Sequence, residues 1–242
     1  MEHSSLGGVL GIIGGMSWES TVTYYQEINR RYQEHCGGHH SAPVLLYSLD
    51  FAPIEAMQRS GDWAGTAEIL ISAAQALERA GATRLLLATN TMHLVFDQLS
   101  RGTTLPWIHI ADATGAALRR DGVARVGLLG TRFTMEQPFY RDHLTERFAV
   151  EVIVPEESDR RLVDETIFAE LVHGHFSEES RNRFRAVMQR LAAAAAGAEA
   201  IILGCTEIGL LVSADDSPVP IYDTTQLHAA AAVDHLLAER GE

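Results

Sequence analysis

The segment Leu-Leu-Leu-Ala-Thr-Asn-Thr-Met-His at residues 85–93 runs through four apolar positions into a polar turn, and Ile-Ile-Leu-Gly-Cys-Thr-Glu-Ile-Gly at 201–209 repeats the device. An apolar run this short, bounded by turn residues, reads as a strand covered on both faces, as in a parallel sheet. The head residues, Thr89 and Cys205, stand 116 positions apart. Gly11-Ile12-Ile13-Gly14 and Gly127-Leu128-Leu129-Gly130 share that offset, and the segments around Trp107 and Ile221 form a looser pair shifted by 111 to 114. One offset shared by independent segments predicts a duplicated architecture.

The rest of the chain alternates in the same way. Strands are expected at Val9–Ile13, Val44–Leu49, Arg84–Ala88, Trp107–Ile110, Val123–Leu129, Val150–Val154, Ala200–Leu203 and Val219–Tyr222. Helical periodicity fills Glu19–Glu34, Trp63–Arg79, Ala111–Arg120, Pro138–Arg147, Leu162–Gly174, Glu178–Ala196 and Thr225–Glu239. Alternation of this kind predicts an α/β fold, with two similar Rossmann-like lobes, parallel sheets and a pseudo-twofold relation. Residues 1–112 with 210–242 would form the first lobe and 113–209 the second. In open parallel sheets ligands bind beyond the carboxyl ends of the strands. Every polar turn named above falls there, so the active site is expected in the cleft between the lobes.

Composition excludes some functions. The formal charge is -13 at neutral pH, which gains nothing from neutralising phosphates, so nucleic acid is not an expected partner. Backbone amides at helix N-termini can still hold a small anion. Two cysteines, Cys36 and Cys205, read as free thiols of a reducing compartment. The first residues lack a basic leader and the apolar run at Val9–Ile13 is too short to span a bilayer, so a cytoplasmic protein without membrane association is expected. Cys36, His39 and His40 lie close in sequence but lack a second ligand cluster, so no metal is expected. Gly11, Gly14 and Gly15 have neither dinucleotide spacing nor the lysine of a phosphate loop. They read instead as a place where backbone approaches a small ligand, with Met16 and Ser17 lining the pocket and Thr131, Thr134 and Met135 in the equivalent second turn.

The two strand ends carry the chemistry. Cys205 precedes a helix start, where dipole and free amides would favour its thiolate, although a packed core cysteine is the simpler alternative. Asn90, Thr91 and Thr206 offer donors suited to an α-carboxylate, or serve as caps. His93 and Glu207 can each orient or exchange a proton with the head group of its own lobe. Asp112 and Asp223 begin the turns of the looser pair and are either caps or supports behind the site.

Three of these segments carry a resemblance: Gly14-Gly15-Met16, Thr89-Asn90-Thr91-Met92-His93 and Gly204-Cys205-Thr206-Glu207. Together with Gly-Thr-Arg-Phe-Thr-Met-Glu-Gln at 130–137 and the terminal Asp-Thr turn, they make the chain similar to the cofactor-independent aspartate/glutamate racemases over nearly its whole length. The resemblance implies racemisation of aspartate or glutamate without any cofactor, and a homodimer. Most members use two cysteines on opposite faces of the α-carbon; here Thr89 stands in the first place. A hydroxyl is a poor unaided base, so Cys205 is expected to abstract the proton and Thr89 to donate or relay one. Similar members with threonine there are described as acting on acidic amino acids with an L preference. Against an acidic side chain, Asp50 and Glu55 stand where some members place a basic residue, and Val172 and His173 where others have lysine. Arg132 could supply the missing charge, and Glu136 and Glu165 could line the site. Neutral amino acids, a sibling dicarboxylate isomerase or decarboxylase chemistry, and noncatalytic amino acid binding are the alternatives.

Overall fold

The structure, a computed structural model, describes residues 8–194 and 197–240. Among these, eight strands form two four-stranded parallel sheets. Strands β1 (Leu10–Gly14), β2 (Val44–Ser48), β3 (Arg84–Leu87) and β4 (Trp107–Ile108) pair in the order β2-β1-β3-β4. Strands β5 (Arg125–Gly130), β6 (Glu151–Ile153), β7 (Ala200–Gly204) and β8 (Ile221–Asp223) pair as β6-β5-β7-β8, the same order four strands later. Leu10 pairs with Arg84 and Ile13 with Leu87; Val126 pairs with Ala200 and Leu129 with Leu203. Each partner has moved by 116, so the duplication read in the sequence extends to the hydrogen-bond register.

The helices are α1 (Trp18–Cys36), α2 (Phe51–Ser60), α3 (Trp63–Arg79), α4 (Phe96–Gly102), α5 (Ile110–Arg120), α6 (Arg132–Glu136), α7 (Pro138–Phe148), α8 (Glu157–Ala169), α9 (Glu178–Ala193), α10 (Ile208–Leu211) and α11 (Thr224–Arg240). Helix α2 was not expected. Asp50 accepts from the Ala52 amide and caps it, and Glu55 pairs with Arg59 one turn on. Helix α8 starts five residues ahead of the expected Leu162, since Glu157 and Asp159 suit a helix N-terminus. The expected end of α9 at Ala196 lies outside the described residues. No described helix is long and apolar enough to cross a membrane.

The chain divides into two compact units. Among the described residues, the first holds 8–88, Val95–His109 and 228–240; the second holds Thr89–Leu94 and those of Ile110–Leu227. Three segments differ from expectation: residues 110–112, 210–227 and 89–94 all lie in the second unit. Residues 210–227 stay with the second unit because β8 pairs with β7, so the return begins at His228. Residues 89–94 leave β3 and join the second unit, for reasons that lie in their hydrogen bonds. In the first unit Tyr24, Ile28 and Tyr32, at helical spacing, pack with Leu10, Ile12, Leu86 and the α11 residues Ala229, Val233 and Leu236. In the second, one core gathers Leu129, Ile201 and Leu203 with Val163, Ile167, Phe184 and Val187; the other packs Val126, Leu128 and Ile202 with Leu118, Tyr140 and Leu144. Such full burial of central strands explains their unbroken apolar runs.

Gly15 has φ 88°, and a Cβ there would meet the Leu49 backbone oxygen at 2.2 Å. At Gly15 the glycine turn after β1 therefore admits the close approach of the Leu49 backbone. Ser17, expected to line a pocket, is the N-cap of α1 and accepts from the Ser20 amide.

Candidate active site

Strand β7 ends at Gly204, and Cys205, Thr206 and Glu207 form the turn before α10. All three are buried. The Cys205 thiol donates to Glu207 Oε2 at 2.9 Å, and the Thr206 hydroxyl donates to the same oxygen at 2.9 Å. Burial pushes the thiol well above its ordinary pKa, and the Glu207 carboxylate, as a charge and as an acceptor, pushes it further. Asp164 adds a smaller push in the same direction. This corrects the expectation of a favoured thiolate. Helix α10 has four residues and a correspondingly small dipole, whereas Glu207 presents a full charge in direct contact. Cys205 is therefore a protonated thiol with an acceptor already in place for its proton.

Past β3 the chain carries Thr89 and Asn90 into a 3-10 turn, Thr91–Val95. His93 pins this turn. Its Nε2 accepts from the Ile110 amide at 3.3 Å, so Nδ1 carries the hydrogen and donates to the Thr89 carbonyl at 2.8 Å. Both ring nitrogens thus serve backbone, and His93 fixes the position of Thr89 instead of exchanging a proton with its hydroxyl. No hydrogen bond among the described residues engages that hydroxyl.

Further hydrogen bonds tie the turn to the carboxyl ends of the second sheet. Thr91 Oγ1 meets Thr131 Oγ1 at 3.0 Å, and Thr131 Oγ1 meets Thr134 Oγ1 at 3.2 Å. Thr131 also caps α6 by accepting from the Thr134 amide. Asn90 Nδ2 donates to Thr224 Oγ1 at 3.0 Å, and Thr224 donates to the Leu203 carbonyl at 2.8 Å. Thr89, Asn90, Thr91, Thr131, Thr134, Cys205, Thr206 and Glu207 accordingly belong to one compact unit, the second.

Other predicted residues have different roles. The Arg132 guanidinium, half exposed, pairs with Glu136 at 3.1 Å, and Glu136 also takes Arg160. Asp112 binds His143 at 2.7 Å and Arg147 at 2.9 Å. Asp223 caps α11, accepting from the amides of Thr225 and Gln226. Met16 lies in the first unit, buried just past β1. Sequence reasoning missed Thr224 and Asp164. The Asp-Thr turn after β8 pointed toward Thr224. Nothing local pointed to Asp164, which sits on α8, accepts from the Arg132 amide at 2.7 Å and is held above the usual carboxylate range mainly by burial.

At the end of one strand of this doubled α/β fold a protonated thiol is hydrogen-bonded to a buried carboxylate, a pair suited to proton transfer. The chain belongs to the Asp/Glu/hydantoin racemase family, whose sequence profile matches residues 13–232. A crystal structure of a candidate Asp/Glu racemase from Yersinia pestis is 50% identical, covers 95% of this chain and 99% of its own, and superposes with a TM-score of 0.87. An aspartate racemase homologue from Pyrococcus horikoshii OT3 is 34% identical, over 97% of this chain and 99% of its own, with a TM-score of 0.79. The broad specificity amino-acid racemase RacX of Bacillus subtilis strain 168 is 23% identical over 233 residues, 95% of this chain and 99% of that protein.

Proposed function

We propose that the protein racemises a free amino acid, aspartate or glutamate, by moving a proton at the α-carbon without a cofactor. The observation that carries this reading is the 2.9 Å hydrogen bond from the Cys205 thiol to Glu207. As substrate enters, Glu207 takes the thiol proton and the thiolate abstracts the α-proton; Thr89 delivers or relays a solvent proton to the other face. Donors from Thr91 and Thr206 stabilise the negative charge that develops on the α-carboxylate, where exclusion of water strengthens them. Action in the cytoplasm by a pair of identical chains belongs to the same reading.

A second reading keeps the chemistry and changes the side chain. Because Arg132 is paired with Glu136, a neutral amino acid needs no cation that the site lacks. Proton NMR in deuterated water with both enantiomers of aspartate, glutamate and alanine separates the two. The expected outcome is loss of the α-proton signal with formation of the opposite enantiomer, abolished in Cys205→Ala and strongly reduced in Thr89→Ala. Exchange with alanine alone would favour the neutral side chain; exchange with none of them would overturn both readings.

A further inference from the structure

Large apolar side chains that stay exposed among the described residues are concentrated on the first unit. Five of the seven, Trp18, Val22, Tyr25, Leu46 and Tyr47, belong to α1 and β2. Trp18, Val22, Tyr25 and Asn29 recur at helical spacing along α1. Asn29 Oδ1 accepts from the Ala42 amide just ahead of β2, and Thr21 Oγ1 accepts from the Gly15 amide just past β1. Helix α1 therefore runs against the strands, and its exposed stripe follows β2 along its length. Leu46 pairs with Ile12, which packs with Tyr24 and Ile28 of α1, so Leu46 faces the same side as the stripe.

Strand β2 is also an open edge, paired with β1 alone. The Leu10 amide donates to the Pro43 carbonyl and the Leu49 amide to the Gly14 carbonyl, so the odd-numbered residues face β1. Val44, Leu46 and Ser48 turn their backbone N–H and C=O groups outward. Natural edges are guarded by short length and by charge. The corresponding edge of the second unit, β6, has both guards: three residues, with Glu151 ion-paired to Arg125. Strand β2 has five residues, Val-Leu-Leu-Tyr-Ser, and no charge.

We infer that a second copy of this chain docks on this face, the two β2 strands pairing about a twofold axis at Leu46 into one continuous sheet of eight strands. The axis makes the strands antiparallel and sets Val44 of each copy against Ser48 of the other. All three outward residues then exchange N–H and C=O groups. Tyr47, on the opposite face of the sheet, comes beside Leu45 of the other copy, an aromatic–aliphatic pair of the kind that stabilises antiparallel strands. Once paired, neither copy keeps an open β2, so assembly stops at two. Area and charge fit the same occupant. The five exposed side chains offer roughly 500 Å² per copy, taking about 150–250 Å² for a whole aromatic side chain. The strand backbone adds to this, as does a polar groove of about 630 Å³ beside the C-terminal half of α1, lined by Gln26, Gln33, His39 and His40 among others. Together they approach the ~800 Å² per partner of a stable interface. Each copy carries a formal charge of -13, and the stripe and the strand hold no charged residue, so two such chains meet here without opposing carboxylates. The inference deepens the pairing of identical chains in the proposed reading and rests on that reading for there being a pair.

The test is sedimentation velocity on the whole protein over a dilution series, with the wild type expected at the mass of a dimer. Leu46→Lys places two ammonium groups together at the axis. It is expected to raise the dimer dissociation constant about a hundredfold or more, giving monomer with an unchanged circular dichroism spectrum. Phe176→Lys, at an exposed position of the second unit, is expected to remain a dimer. Should Leu46→Lys fail to fold, Leu46→Cys decides: a short bismaleimide is expected to join two copies through it, and to join neither wild-type chains nor Phe176→Cys. A dimer unmoved by a folded Leu46→Lys, or no cross-link through Leu46→Cys, overturns this face and leaves the pair standing elsewhere. A monomeric wild type overturns the pair and the face together and leaves β2 open to a strand of another protein. The racemase chemistry is read separately, by α-proton exchange.

Discussion

At neutral pH the Cys205 thiol keeps its proton, because burial and the Glu207 carboxylate both disfavour the thiolate. Replacing Glu207 with glutamine removes the charge and retains a carbonyl acceptor. The thiol of Glu207→Gln should then titrate at lower pH than in the wild type, measured as the pH dependence of alkylation by iodoacetamide. Racemisation should nonetheless fall by roughly a hundredfold or more, since the group that receives the thiol proton is gone. An unmoved alkylation profile would show that Glu207 does not govern the thiol. Cys205, Thr206 and Glu207 were legible because they are consecutive, and any acid–base pair among them is local. The sign of the thiol's shift was not legible, because it depends on where one carboxylate turns. The partners of Arg132 and Asp112 were not legible for a related reason: sequence marks a charge, while its partner is chosen by neighbouring helical turns and by α7.

Short elements carry most of the site. The turn at Thr91–Val95 and helix α6 are each five residues long, well below the length at which a helix holds itself in water. They persist because side chains close them, His93 on the Thr89 carbonyl and Thr131 on the Thr134 amide. Thr131→Ala should cost about 1 kcal/mol, the usual loss for an N-cap hydroxyl, and lower the melting temperature by about 2–4 °C. Thr131→Ser should recover most of it; differential scanning calorimetry on the three proteins decides. Equal melting temperatures would mean that the cap contributes nothing. The long helices and the central strands were visible in sequence, since periods of 3.6 and runs of buried residues extend over many positions. Helix α2 was readable in principle from Asp50 at its start and Gly61, in the left-handed region, just past its end. The short turns had no period to read.

For the molecule as a whole, stability toward acid should hinge on the first unit. His228 is buried, its Nε2 donates to the Ile108 carbonyl at 2.8 Å, and its Nδ1 accepts from the Tyr24 hydroxyl at 3.0 Å. Burial lowers its pKa to about 4, so the folded ring stays neutral where the unfolded one, near 6.5, takes a proton. Its contribution is complete above pH 6.5 and is lost as pH falls through about 4, a loss of roughly 3 kcal/mol. Melting curves between pH 7.5 and 4 should show this decline, and His228→Phe should flatten it; equal slopes in both proteins would exclude His228 as its source. The sequence by itself determined the duplication, the parallel sheets, the strand ends that bear Thr89 and Cys205, and the family. Each is written in local periodicity or in one repeated offset. Tertiary structure alone decided that residues 89–94 join the second unit, that Glu207 keeps Cys205 protonated and that Thr224 accepts from the Asn90 amide. Those outcomes depend on side-chain hydrogen bonds between residues as far as 134 positions apart, whose directions no sequence period encodes.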